Sequence, residues 1–154
     1  MRQRQSYLLV DGHSVIFAWP DLLKMHERRT VLARDELAKR LRHYQDWTGT
    51  HVVAVFDGKG AQVSASADPH DIQIFYSRRD QTADAIIERL ASKYAERFRI
   101  TVVTADNMVR ETAAACGAEV VSPELFREMM GETVPSERTP NERKNRRTPR
   151  SRAR

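Results

Sequence analysis

The chain has 154 residues, 40% of them hydrophobic, and carries 26 Lys and Arg against 21 Asp and Glu, a net charge of +5. That length holds one domain with a proper core and is short for two. No apolar run approaches bilayer-spanning length, and the apolar part of MRQRQSYLLV is too short for a signal peptide. Cys116 is the single cysteine, which excludes a disulfide framework and a thiolate metal centre. A cytoplasmic address is the expectation.

The charge is unevenly spread. From Gly131 to Arg154, eight basic residues stand against three acids, so residues 1–130 balance at 18 against 18. We therefore expect a neutral domain over 1–130 and a basic tail over 131–154, GETVPSERTPNERKNRRTPRSRAR. Val134 is the tail's one long aliphatic residue, so the tail should be disordered when the protein is free.

In chain order, Tyr7–Val10 reads as a strand, and Val15–Met25 as a helical segment broken at Pro20. Thr30 reads as the cap of a helix to about Thr48, with Leu37, Ala38, Leu41 and Tyr44 on its apolar stripe and Gly49 as its left-handed stop. His51–Phe56 is a continuous β-branched run typical of a strand covered on both faces. A small-residue loop, GKGAQVSASADPH, leads to a strand at about Ile72–Tyr76.

From about Thr82 to Phe98, the stripe Ala83, Ile86, Ile87, Leu90, Ala91, Tyr94 and Phe98 marks the clearest amphipathic helix. Ile100–Thr104 is a buried strand, Asn107–Cys116 a helix stopped by Gly117, and Glu119–Val121 a last strand. Pro123 suits the first turn of a final helix to about Met130. Strands alternating with helices predict an α/β fold with a mainly parallel sheet.

Three strands end in acid: LLVD at Asp11, AVFD at Asp57 and VVTAD at Asp106. In a parallel sheet these ends share one edge, where ligands bind in open α/β folds. Asp84, in the first turn of the helix after Thr82, can join them beside the positive end of the helix dipole. Crowded carboxylates repel unless protonated or neutralised by a cation. The donors are hard oxygens, which suit Mg²⁺ or Mn²⁺, and such an ion supports phosphodiester hydrolysis. Each acid also has a plain reading: Asp-Gly makes turns, and Asp84 and Asp106 suit helix starts.

The segments LLVDGHSVIFAWPDL, ARDELAKRLRHYQDWTG, VVAVFDG, QTADAIIERL and VVTAD together resemble the NYN domains of the PIN-like nuclease superfamily, above all the bacterial YacP-like group. The resemblance spans Tyr7 to Met130. It implies a three-layer α/β/α sandwich and a metal-dependent endoribonuclease. Asp11, Asp57, Asp84 and Asp106 match the family's acidic motifs as catalytic residues, with Asp11, Asp84 and Asp106 as ligands of Mg²⁺ or Mn²⁺. It also implies RNA as partner, single-stranded or messenger, with the ribosome as a setting. Two departures stand out. Ser14 occupies a motif position where the family has asparagine, and the loop after Asp57 is short and rich in small residues.

Around the acids, Ser14, Thr104 and Asn107 are expected to support the carboxylates or their waters. Arg34 lies on the apolar face of its helix, either as a partner for Asp11 or a phosphate or as a snorkelling side chain. Thr82 caps its helix and can lie near the scissile phosphate. His13, Arg78 and Arg79 are candidate RNA contacts, with solvated loop positions as the alternative. Lys144, Arg146 and Arg147 of the tail suit RNA phosphates in a salt-sensitive way, or simply solubilise the chain. Trp19 reads as packing and Cys116 as a small core residue. A phosphatase of the haloacid dehalogenase type needs an acid where His13 stands, and a receiver domain needs an acidic pair after the first strand. A noncatalytic RNA- or ribosome-binding module of the same fold is the rival to the nuclease.

Overall fold

The computed structural model describes residues 4–58, 70–78 and 81–133, the last two by backbone alone. Arg79, Lys144, Arg146, Arg147 and nearly all of the expected tail lie outside the described residues. The elements run β1 (Ser6–Asp11), α1 (Gly12–Ala18), α2 (Pro20–Arg28), α3 (Thr30–Thr48), β2 (His51–Asp57), β3 (Gln73–Ser77), α4 (Ala83–Tyr94), β4 (Arg99–Val103), α5 (Asn107–Ala115), β5 (Glu119–Val121) and α6 (Pro123–Thr133).

The five strands form one sheet in the order β3-β2-β1-β4-β5, and every neighbouring pair is parallel. Alternation along each strand sorts side chains to two faces. Leu8, Val10, Val52, Ala54 and Phe56 meet residues of α1, α2, α3 and α6 on one face. Leu9, Val53 and Val55 meet Ile87 and Ala91 of α4 and Val109 and Ala113 of α5 on the other. The result is the expected three-layer α/β/α sandwich. Fully buried side chains such as Leu37, Leu41 and Ile87 each contribute about 1.5–3 kcal/mol of apolar burial. Trp19 belongs to this core: it is 1% exposed, stacks on Phe126, and donates from Nε1 to the Pro123 carbonyl at 2.9 Å.

Local differences from the sequence reading have local causes. α1 begins at Gly12 rather than Val15, because the Asp11 side chain accepts from the Ser14 amide and starts the helix directly at the strand tip. Thr30 is the first helical residue of α3 and not its cap; Arg29 holds that position without a side-chain bond. Gly49 ends α3 at φ 75° and Gly117 follows α5 at φ 100°, both in the left-handed region where only glycine is unstrained. α4 ends at Tyr94, four residues early, as the Arg97 and Phe98 amides both turn back onto the Tyr94 carbonyl. That turn delivers the chain to β4 and leaves the Phe98 ring packed on Tyr7. α6 runs three residues past Met130, to Thr133.

Candidate active site: an acidic cleft at the carboxyl edge of the sheet

The sheet order places the topological switch between β1 and β4, the crevice position of open α/β folds. β1 ends at Asp11, which pairs in register with Val55, and β2 ends at Asp57, opposite Ser77. Asp11 continues the parity of Leu9, and Asp57 that of Val53 and Val55. Both acids therefore project toward the face covered by α4 and α5. α4 carries Asp84 in its first turn, and Asp106 is the N-cap of α5. Two strand tips and two helix starts thus direct four carboxylates to one side of one edge. Asp11, Asp57, Asp84 and Asp106 line a single open cleft of about 500 Å³ with His13, Ser14 and Phe17.

Asp11 is the best-held acid, 5% exposed. Its Oδ2 accepts from the Ser14 hydroxyl at 2.8 Å and from the Thr104 hydroxyl at 3.0 Å. Each hydroxyl is itself oriented by a backbone amide, Ala105 donating to Ser14 Oγ and Asp106 donating to Thr104 Oγ1, both at 3.1 Å. Ser14 and Thr104 therefore join β1 to the segment after β4. The serine that departs from the asparagine motif reaches its carboxylate directly.

The other acids carry structural duties as well. Asp106 Oδ1 accepts from the Met108 and Val109 amides at 2.8 and 3.0 Å, capping α5. Asp57 Oδ1 accepts from Ser77 Oγ at 3.1 Å and from the Ala83 amide at 2.9 Å, pinning the start of α4 to the sheet. Asp84 has no basic partner among the described residues. Burial first, then Asp11, Asp106, Asp57 and Glu88, push its carboxyl from the ordinary 3.8 up to about 6. A like-charge cluster raises a carboxyl in this way because its ionised form is the disfavoured one.

The expected metal ligands Asp11, Asp84 and Asp106 line one cleft. Among the described residues, no three His, Cys, Asp or Glu side chains stand close enough to enclose an ion. The bonds above explain why: Asp106 is turned toward its helix amides, and Asp11 toward two hydroxyls. The donor set still fits Mg²⁺ or Mn²⁺ in the usual manner of Mg²⁺, which takes one or two carboxylates and keeps several waters. The hard oxygens, the absence of a competing lysine or arginine on Asp84 among the described residues, and the open cleft agree with that mode.

The remaining predicted residues divide. His13 lines the cleft, its Nε2 3.4 Å from the Asp57 carbonyl oxygen. Arg34 does not reach Asp11: its Nη2 donates to the Asp57 carbonyl at 2.8 Å, and its guanidinium lies over the Phe56 and Tyr76 rings. Attraction to two ring faces holds it on the β2–β3 side of the edge. Thr82 caps α4 by accepting from the Ala85 amide and does not line the cleft. Asn107 is exposed at the start of α5, also outside the lining. Arg78 lines a separate hollow between β3 and α4.

The sequence reading missed Phe17. It is 53% exposed in the cleft wall, with the His26 ring edge-on at 5.1 Å and His13 at 5.9 Å. The signal was the i, i+4 spacing of His13 and Phe17 on the helix that Asp11 starts, opposite buried Val15 and Ile16. Gly12 was also passed over. A Cβ there would fall 2.2 Å from Phe56 Cε1, so only glycine lets the strand tip sit against that ring.

Comparison with known proteins follows the same lines. Residues 8–154 match the YacP-like NYN domain. The chain is 37% identical over 87 residues to "Uncharacterized protein YacP" of Bacillus subtilis strain 168, a match over 54% of this chain that spans about half, 50%, of that relative's length. It is similar to the crystal structure of Rae1 (YacP) from Bacillus subtilis, with TM-score 0.70 and 28% identity over 97% of this chain and 85% of the other. The W164L mutant of the same protein gives TM-score 0.71 and 27% identity over 97% and 84%. With its parallel sheet, its acid-tipped strands and a match over almost its whole length, the chain belongs to the YacP-like NYN domain family, a nuclease-type family.

Proposed function

We propose that the protein is a divalent-metal-dependent endoribonuclease that hydrolyses phosphodiester bonds of single-stranded or messenger RNA in this cleft. The observation that carries the proposal is the convergence of Asp11, Asp57, Asp84 and Asp106, from four separate elements, on one open cleft. A fold does not need four like charges there, and their mutual repulsion works against it.

Asp84 and Asp106 would hold Mg²⁺ or Mn²⁺, with Asp11 reached directly or through water. The ion would supply positive charge to a phosphodiester and render a water nucleophilic. The chain's own residues then divide the remaining work. Ser14 and Thr104 fix the orientation of Asp11 through two hydrogen bonds to its Oδ2. Asp57 fixes the start of α4 and hence Asp84. The exposed Phe17 ring offers a face on which a base can stack. His13 stands at the cleft mouth within reach of an RNA backbone. The ribosome is a setting this reading accommodates.

The test is cleavage of a labelled single-stranded RNA after chelation and after return of Mn²⁺. Activity should need the ion and vanish in Asp106→Asn, in which asparagine keeps the helix cap. Undiminished cutting in chelator would refute the reading. A noncatalytic RNA-binding module is favoured by one observation, the absence of a ready three-ligand cluster among the described residues. It predicts no heat on Mn²⁺ titration and no cleavage with any divalent ion.

A further inference from the structure

Two helices, α4 and α5, cover one face of a five-stranded sheet, and β3 at its edge is only partly roofed. Between β3 and α4 lie two adjoining hollows, of about 330 and 620 Å³, which share Phe75 and Leu90 as walls. The first is lined by aromatic rings, among them Tyr7, Phe75, Tyr94 and Phe98. The second is lined by Arg78, Gln81 and Arg89, beside the start of α4.

The charges along this groove have one sign. Arg89, Lys93 and Arg97 recur every fourth residue from α4 into the turn after it, and Arg78 stands in the β3–α4 connection. All four are exposed, and none forms an ion pair among the described residues. Lys93 lies 5.4 Å over the Tyr94 ring and Arg97 5.7 Å over the Phe98 ring, so two cations border the aromatic wall itself. The acid of the same helix, Glu88, acts on Asp84 on the cleft side; Glu96 is exposed beyond the helix end.

We propose that this groove binds a single-stranded RNA segment flanking the one held at the acidic cleft. Ring faces for bases and unpaired cations for phosphates are the two elements of single-strand recognition. The two sites meet at the start of α4, where Gln81 lines the groove and Asp84, three residues on, lines the cleft. An acidic peptide would answer the cations but leave the aromatic wall unused, and a duplex would hide the bases from the rings. The inference rests on the nuclease reading for its direction, but the site is a binding site in its own right.

Fluorescence anisotropy of the full chain in chelator, with oligouridylates of about 4 and about 12 nucleotides, tests it without cleavage. The double variant Arg89→Ala, Lys93→Ala should bind the longer oligonucleotide about tenfold more weakly, and its salt slope should fall by about 1.4, two phosphate contacts at roughly 0.7 each. Binding of the shorter one should weaken as well, because without an ion the acidic cleft repels phosphate and the groove alone holds it. Tyr94→Leu should weaken the longer oligonucleotide without altering the salt slope. Unchanged affinity in both variants would overturn the groove. So would sedimentation showing that the double variant abolishes self-association, which would give the groove to a second copy. A protein that passes these tests yet never cuts RNA refutes the nuclease reading alone; one that cuts but whose variants bind unchanged refutes the groove alone.

Discussion

Replacing Asp84 by asparagine should make the protein more stable while removing its activity. The carboxyl of Asp84 rises from 3.8 to about 6, through burial and through Asp11, Asp106, Asp57 and Glu88. The folded state therefore keeps this proton up to about pH 6, whereas the unfolded chain releases it near 3.8. Between those values the folded state binds more protons, so stability falls as pH rises through the window, and the full penalty is present above it. About two units at roughly 1.36 kcal/mol each set a ceiling of ~3 kcal/mol. Asp84 is partly exposed, and solvent screening reduces the expected effect to about 1 kcal/mol. Asparagine keeps the shape and removes the charge. Urea unfolding at about pH 7.5 should show Asp84→Asn more stable by that amount, and the difference should shrink toward zero as pH falls to about 4. Added Mn²⁺ should stabilise the wild type and not the variant, by preferential binding to the folded state. A variant less stable than wild type at about pH 7.5, or a difference independent of pH, would refute the like-charge account.

Three further substitutions probe how the cleft is built. Gly12→Ala should cost about 1–3 kcal/mol in urea unfolding, since its Cβ meets a ring that is only 1% exposed and cannot swing aside; a loss under 0.5 kcal/mol would mean the contact relaxes freely. Ser14→Ala removes a hydroxyl that donates to Asp11 and accepts from the Ala105 amide. It should cost about 1–3 kcal/mol and slow RNA cleavage, and wild-type rates would show that the serine does not position Asp11. Asp57→Asn keeps the acceptor for Ser77 and Ala83 and should retain most cleavage, whereas Asp57→Ala should lose about 1–3 kcal/mol of stability. Complete loss of cutting in Asp57→Asn would assign its charge a direct catalytic role.

The layered fold was legible because burial on both faces of β2 and the helical stripe of α4 leave periodic signals that tertiary contacts reinforce. The shared edge was legible for a related reason: parallel strands bring their ends together whatever separates them in sequence, which united Asp11, Asp57, Asp84 and Asp106. Orientation was less accessible. Periodicity assigns Arg34 to a face but cannot say that the Asp57 carbonyl, 23 residues away, is its partner. Nor does it show that Asp106 spends one oxygen on two amides, which is why a closed ligand triad does not follow from four acids at one edge. Phe17 escaped because an apolar residue near buried neighbours looks like core until the helix is placed. Helix ends were set by bonds of single residues, as at Asp11 and Tyr94.

The most direct measurement is the initial rate of single-stranded RNA cleavage against Mn²⁺ concentration for wild type and Asp84→Asn, each shown by unfolding to be native under the assay conditions. The account predicts saturable, ion-dependent cutting by the wild type and none by the more stable variant. Equal rates in the two proteins, or cutting that persists in excess chelator, would contradict it.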